Sequence, residues 1–342
     1  MSEKRERVIE IGTVPENKSI YELLEEDIME SDIGEAEKTK QLSRLLAIRN
    51  KKVNLMIVGS TGSGKSSTIN ALFQMEVARV GVGVEPETEG ISRFDLDNLI
   101  IWDTPGLGDG VEKDKKITRD IIAKLNETDQ QGRLLMDMVL LVMDASSKDL
   151  GTSYDLLNHV LIPCLGSEAE KRILIGLNQS DIAMKGTHWK EEENEPDEIL
   201  KEFLEKKAGS VRDRIREATG LVIEPVCYCA GYKEEGGQQR KPYNLTKLLY
   251  HIVKRIPKEK RLALADNLND EEDNWRYDDH EENYRKGAEN GFFDSIWDCL
   301  SDGAETGSEI GGEILGIPGR LVGGVVGGAV GAIKGIFETI FD

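Results

Sequence analysis

The sequence predicts an α/β fold: a mostly parallel six-stranded sheet with helices on both faces, extended by helical segments at both ends. Three observations carry this. From about 51 to 257, short apolar runs alternate with amphipathic helical patterns, as a parallel sheet requires. One turn, Gly59-Ser60-Thr61-Gly62-Ser63-Gly64-Lys65-Ser66, fits G-x-x-x-x-G-K-[ST] between a strand and a helix. The other motif-like turns each follow a predicted strand, which places them together beyond the carboxyl edge of one sheet.

In chain order, residues 1–50 are highly charged. Ile20, Leu23, Leu24 and Ile28, then Leu42, Leu45 and Leu46, recur at helical spacing. They predict two short helices that pack on the following domain or form a partner-binding arm. Candidate strands are 53–58, 91–95, 98–102, 138–143, 172–177 and 222–227. Helices should fill 65–74, 114–126, 151–164, 196–218 and 244–256. The acidic segment Glu191 to Glu205 reads as an exposed helical insertion. Pro257 closes the last of these helices. Lys258 to Leu268 continues as a charged helix, and Asp270-Glu271-Glu272-Asp273 opens an acidic linker. Phe293, Ile296, Trp297 and Leu300 again have helical spacing, which reads as core packing. The expected domains are a helical extension (1–50), the α/β domain (51–257), a helical acidic linker (258–302) and an apolar glycine-rich segment (303–342).

At 342 residues there is room for more than one domain. A net charge of −20 argues against a nucleic-acid-binding surface. Cys164, Cys227, Cys229 and Cys299 make no disulfide framework and suggest a reducing compartment. Cys227-Tyr228-Cys229 has no matching Cys/His pair elsewhere and reads as alternating strand residues. The charged start, Met1 to Arg7, predicts no secretory signal and a cytoplasmic protein.

The glycine turn carries the clearest chemistry. Glycines let the backbone wrap an anion and point its N–H groups inward. The helix that opens at Lys65, Ser66 and Ser67 adds a partial positive charge. Lys65 should reach the β- and γ-phosphates of a nucleotide, and the Ser66 hydroxyl should hold Mg²⁺.

Asp103-Thr104-Pro105-Gly106 follows the run Leu99-Ile100-Ile101-Trp102, and Asn178-Gln179-Ser180-Asp181 follows Ile173 to Leu177. With these motifs the chain resembles GTPases of the translation-factor-related class, over about 51–257. The likeness is nearest to the Era-like members, especially the bacterial YfjP-like group with N-Q-x-D; Asp144-Ala145-Ser146 is typical of that group too. The resemblance implies that Asp103 holds Mg²⁺ through water and that the Gly106 amide contacts the γ-phosphate. It implies a switch threonine between the first two motifs, where Thr88 is the one threonine from Glu76 to Ser92. Asp181 would accept two hydrogen bonds from the guanine edge, which adenine cannot offer. Asn178 would brace neighbouring loops, and Gln179 would cover the base less fully than the usual lysine. Ala230, in Cys227-Tyr228-Cys229-Ala230-Gly231, would meet the guanine oxygen through its amide.

The implied protein binds GTP and GDP with Mg²⁺, through loops near 80–92 and 106–118 that order on the γ-phosphate. Leu107 stands where Ras-type enzymes have a water-positioning glutamine. Gly62 stands where one potassium-using subgroup has asparagine. Arg79 and Arg93 flank the first loop as candidate arginine fingers. Hydrolysis is therefore expected to be slow until self-association or a partner stimulates it. A scaffold or assembly factor that scarcely hydrolyses GTP is the contrasting class, and an ATPase is disfavoured by Asp181.

From Gly303 onward glycines recur four apart, as in G-x-x-x-G repeats, among apolar residues. Small residues on one stripe let helices approach closely in lipid. Arg320 and Lys334, however, confine the apolar run to fewer than the ~20 residues a spanning helix needs. The segment is expected to enter or lie on a membrane, to zip copies together, to fold back on the body, or to be disordered.

Overall fold

A computed structural model describes residues 19–73, 90–231 and 240–300; the side chains of 299 and 300 are not described. Thr88, Arg79 and the glycine-rich segment 303–342 lie outside the described residues.

The sheet has the order β2-β3-β1-β4-β5-β8. Its strands are β1 Val53–Gly59, β2 Ser92–Leu96, β3 Leu99–Asp103, β4 Met138–Asp144, β5 Ile173–Asn178 and β8 Pro225–Cys227. Only β2, on the edge, runs antiparallel; it pairs with β3 from Ser92↔Asp103 to Leu96↔Leu99. β1 lies between β3 and β4, so the strand order reverses there and opens a crevice beyond the carboxyl ends. All of β1 is buried, as expected for a central parallel strand covered on both faces. Its one polar side chain, Asn54, accepts from Trp102 Nε1 at 3.1 Å. β8 is shorter than the run 222–227 suggests. It starts at Pro225, a residue tolerated at the first position of an edge strand but unable to donate within a ladder.

One face of the sheet is covered by α1 (Ile20–Glu30), α2 (Glu35–Arg49), α3 (Lys65–Leu72) and two helices from the end of the chain. The other is covered by α4 (Val111–Leu125), α5 (Gly151–Leu156) and α6 (Glu198–Thr219). The two N-terminal helices pack on the body: Ile20, Leu24, Ile28, Leu45 and Ile48 are all buried. Ser19 and Glu22 form a reciprocal capping box that starts α1. The Ile20 amide also donates to Asp266 Oδ1 at 2.6 Å, tying the start of α1 to a segment 246 residues further along the chain.

Four expectations need correction. The helix expected over 151–164 is α5, Gly151–Leu156, followed by a π turn, Leu157–Leu161, and then Ile162–Leu165. Pro163 lacks the amide that would bond back to His159, and the wider turn absorbs the loss. The acidic insertion is not helical throughout. It begins as a hairpin, β6 Trp189–Lys190 with β7 Glu195–Pro196, before α6 starts behind the Asp197 cap. Asn194 turns it with a φ of 52°, and its side chain donates to the Pro242 carbonyl at 2.9 Å.

The helix expected over 258–268 is broken into a 3-10 turn, Lys258–Lys260, and a single α turn, Leu262–Ala265. Lys260 leaves the helix direction to pair with buried Asp137 at 2.7 Å. The described residues beyond 268 are not an extended acidic linker but pack on the body. Trp275, Phe292 and Ile296 enter the same core as α1 and the sheet. α7 (Leu245–Arg255) and α8 (Tyr284–Leu300) lie close because Gly287 and Gly291 face Tyr250 and Val253 with no side chain between. No helix among the described residues is long and apolar enough to cross a membrane.

Candidate functional site

The glycine turn leaves β1 and enters α3 through Gly64, whose φ of 87° suits glycine. A side chain on Gly64 would collide with Asn178 Nδ2. Lys65 folds back over the turn: its Nζ donates to the carbonyls of Gly59 at 3.2 Å and Ser60 at 3.0 Å. Burial lowers its pKa, against the pull of Asp103 and Asp109.

Parallel pairing sets Asp103, the last residue of β3, opposite Ile57 on β1. That register brings its carboxylate to Ser66. Burial raises the Asp103 pKa to about 6, against the Lys65 charge and a hydrogen bond with the Ser66 side chain. One carboxylate oxygen, Oδ1, is buried without a hydrogen-bond partner. A hydroxyl and an unsatisfied carboxylate oxygen side by side are hard oxygen donors, and they fit Mg²⁺, which takes few protein ligands when phosphates supply the others. No group of three His, Cys, Asp or Glu residues among the described residues forms a competing metal cluster.

The Asp103 motif is also fastened to the glycine turn. The Thr61 amide donates to the Leu107 carbonyl at 2.9 Å, and the Leu107 amide to the Gly59 carbonyl at 3.3 Å. A side chain on Gly106 would overlap the Thr61 backbone. Asp109 completes the contact. Its pKa is lowered by hydrogen bonds from Lys113 and the Thr61 hydroxyl. Leu107 itself is buried, with no polar group to offer a water.

At the other end of the crevice Asn178 braces two loops. Its Nδ2 donates to the Ser63 carbonyl at 2.9 Å, and its Oδ1 accepts from the Ala230 amide at 3.0 Å. The expected guanine-facing amide of Ala230 is thus engaged by Asn178. Gln179, in the left-handed region at φ 63°, donates from Nε2 to the Gly62 carbonyl at 2.7 Å. Asp181 is buried and lines a cavity of about 330 Å³ with Gly64, Ser67, Asn178, Gln179, Ile182, Cys229, Ala230, Gly231 and Arg240. Burial, reinforced by the Asp181 charge, pushes the Cys229 thiol well above its usual pKa.

The fold therefore brings together Gly59 to Ser67, Asp103, Gly106, Asn178, Gln179, Asp181 and Ala230. Arg93 lies on β2, paired with Asp95 at 3.1 Å and over the Trp102 ring. Sequence reasoning did not single out Arg240, whose Nη1 lies 3.2 Å from Asp181 Oδ2. It follows a glycine- and glutamine-rich stretch and carries no motif that would have marked it.

Residues 54–179 match the model of a family described as 50S ribosome-binding GTPase, a stretch that takes in the glycine turn, Asp103, Gly106 and Asn178. A search of curated proteins found no match. Among solved structures, a bacterial selenocysteine-specific elongation factor is 17% identical with a TM-score of 0.34, over 60% of this chain and 28% of that one. The LeoA bacterial dynamin GTPase from ETEC is 16% identical with a TM-score of 0.38, over 72% of this chain and 43% of that one. This chain thus spans less than half the length of either. Toc33 from Arabidopsis thaliana, in complex with Mg²⁺ and GMPPNP, is 14% identical with a TM-score of 0.38, over 71% of this chain and 98% of that one.

Proposed function

We propose that the chain is a guanine-nucleotide switch that binds GTP and GDP with Mg²⁺ and hydrolyses GTP slowly to GDP and phosphate. One observation carries the reading. Lys65, Ser66 and Asp103 meet at one end of a crevice whose other end is the Asp181 cavity, and Asn178 joins the two by its bond to Ser63.

In this reading the turn amides and Lys65 hold the phosphates. Ser66 and Asp103 hold Mg²⁺, which when bound neutralises charge on the phosphate oxygens. Asp181 accepts from N1–H and the 2-amino group of guanine, with Gln179 beside the base. Thr88 is proposed to sense the terminal phosphate, and Gly106 to contact it through its amide. Slow turnover follows from buried Leu107, which can neither orient a water nor supply positive charge. The same residue supports a second reading, a nucleotide-dependent scaffold with negligible hydrolysis.

The proposed organisation is a GTPase domain over 51–257, flanked by 1–50 and 258–302, with 303–342 mediating self-association or membrane contact. Ribosome binding, which the matched family's description names, is not part of this proposal; a net charge of −20 disfavours docking on RNA.

The test is competition of GTP, GDP and ATP for the full chain with Mg²⁺, followed by multiple-turnover phosphate release. Guanine selectivity with slow release supports the switch. Guanine binding with no release favours the scaffold. A preference for ATP overturns both.

A further inference from the structure

We propose that Arg240 caps Asp181 in the nucleotide-free protein, and that guanine binds in the cavity by displacing it from that carboxylate. The inference rests on the guanine reading of that cavity.

The Asp181 carboxylate is 6% exposed at the inner wall of the cavity, where an unpaired charge would be strongly unfavourable. Arg240 meets that need from the mouth. Its Nη1 lies 3.2 Å from Asp181 Oδ2, and its Nη2 lies 3.2 Å from Glu191 Oε1. The two ends of this chain of charges differ in exposure. The Asp181 side chain is almost closed off, whereas those of Arg240 and Glu191 are 41% and 62% exposed. The guanidinium can therefore leave Asp181 and remain solvated, with Glu191 beside it.

Guanine offers Asp181 the same chemistry. Its N1–H and 2-amino group are two donors on one carbon, which is itself a guanidine fragment. Adenine has no such pair and cannot take over the carboxylate from Arg240. The exchange thus sharpens discrimination, since a base that fails to replace the ion pair leaves Asp181 bare or keeps the arginine in its way.

The backbone that follows Arg240 is held in place, while its side chain is 41% exposed. Cys229 and Tyr243 exchange two backbone hydrogen bonds at 2.9 Å. Asn194 of the hairpin donates to the Pro242 carbonyl, and Trp189 packs edge-on to Tyr243 at 5.2 Å between ring centroids. The hairpin insertion therefore positions both Arg240, through its backbone, and Glu191, which it carries. Apparent guanine affinity is the intrinsic affinity multiplied by the fraction of molecules in which Arg240 has left Asp181.

The test is binding of fluorescently labelled GDP, with Mg²⁺, to the full chain and to Arg240→Ala, by stopped flow at low and high salt, with ADP as control. Removing the competitor should tighten GDP binding about tenfold, mainly through a faster association rate. The gain should shrink at high salt, which screens a partly exposed ion pair. ADP binding should not change. Nucleotide-free Arg240→Ala should melt below wild type, yet show the larger upward shift with GDP. If Arg240→Ala does not fold, Arg240→Gln takes the same measurements. Guanine-selective wild type with unchanged or weaker GDP binding in the variant overturns the role of Arg240 alone. Wild type without guanine selectivity overturns the guanine reading and this inference with it.

Discussion

The hydroxyls of Thr68 and Tyr228 lie 2.7 Å apart in the core, joining the first helix after the glycine turn to the loop that follows the last strand. Thr68 Oγ1 donates to the Gly64 carbonyl at 2.8 Å, so the phenol is the donor of the pair. Tyr228 also spans to β5, where Gly176 lies beneath its ring. One side chain thus sets the spacing of three segments that meet at the crevice.

Removing the phenol donor in Tyr228→Phe should lower stability by about 1 kcal/mol, because Thr68 keeps its bond to Gly64. Thr68→Val should lower it by about 1–3 kcal/mol, because it strands a buried phenol and leaves the Gly64 carbonyl without that donor. Urea denaturation of the full chain measures both. A larger loss in Tyr228→Phe than in Thr68→Val would contradict the donor assignment.

Gly176→Ala should destabilise by roughly 1–3 kcal/mol, since the added carbon would stand 2.7 Å from Tyr228 Cε1 with the ring wedged between elements. Thermal melting reports it. A variant as stable as wild type would mean that the ring can shift, and that the three segments are less tightly coupled than their packing implies.

Lys65→Ala should weaken GDP binding on the order of tenfold to hundredfold, through loss of a charged donor to the phosphates. Asp103→Asn should leave Mg²⁺-free GDP binding nearly intact while removing most of the Mg²⁺ enhancement of GTP binding. Calorimetric titration with and without Mg²⁺ separates the two effects. Equal losses in both conditions for Asp103→Asn would remove it from the metal site.

Asp181→Asn replaces an acceptor oxygen with an amide donor. The variant should lose guanine preference and gain affinity for xanthine nucleotides, whose 2-oxo group accepts where guanine donates. Competition between GDP and xanthosine diphosphate tests it. A variant that still prefers GDP would place guanine recognition elsewhere.

Burial, opposed by the Ile20 amide, raises the Asp266 carboxyl from 3.8 to about 6. The folded chain holds this proton more tightly than the unfolded one. The resulting stabilisation is complete below about 3.8 and is lost as pH rises through about 6. Asp266→Asn keeps an acceptor for Ile20 and cannot ionise. It should lie close to wild type near pH 4 and exceed it by roughly 3 kcal/mol at pH 7. A constant difference between the two proteins across that range would remove Asp266 as the cause.

Most of the sheet was legible because its signals are local. β1, β4 and β5 are continuous apolar runs, and such runs are the pattern of strands buried on both faces. The hairpin over 189–196 was not legible. Its acidic residues suit an exposed helix equally well, and the deciding contacts, Asn194 with Pro242 and Trp189 with Tyr243, come from a distant segment. The break after Pro257 was hidden for the same reason: Lys260 is drawn to Asp137, 123 residues away.

The sequence by itself determined most of the sheet's strands and the glycine turn, and it marked Lys65 and Ser66 as candidates through that turn and Asp103, Asn178 and Asp181 through a family resemblance. The strands and the turn depend on neighbours a few residues away, through apolar periodicity and the backbone freedom of glycine. Only the tertiary structure decided what those residues meet. It set Asp103 beside Ser66, fastened Leu107 to Thr61 and paired Asp181 with Arg240 across 59 positions of sequence. Such pairings follow from the path of the folded backbone and from the need to satisfy buried charge, and neither is written in any local stretch of the chain.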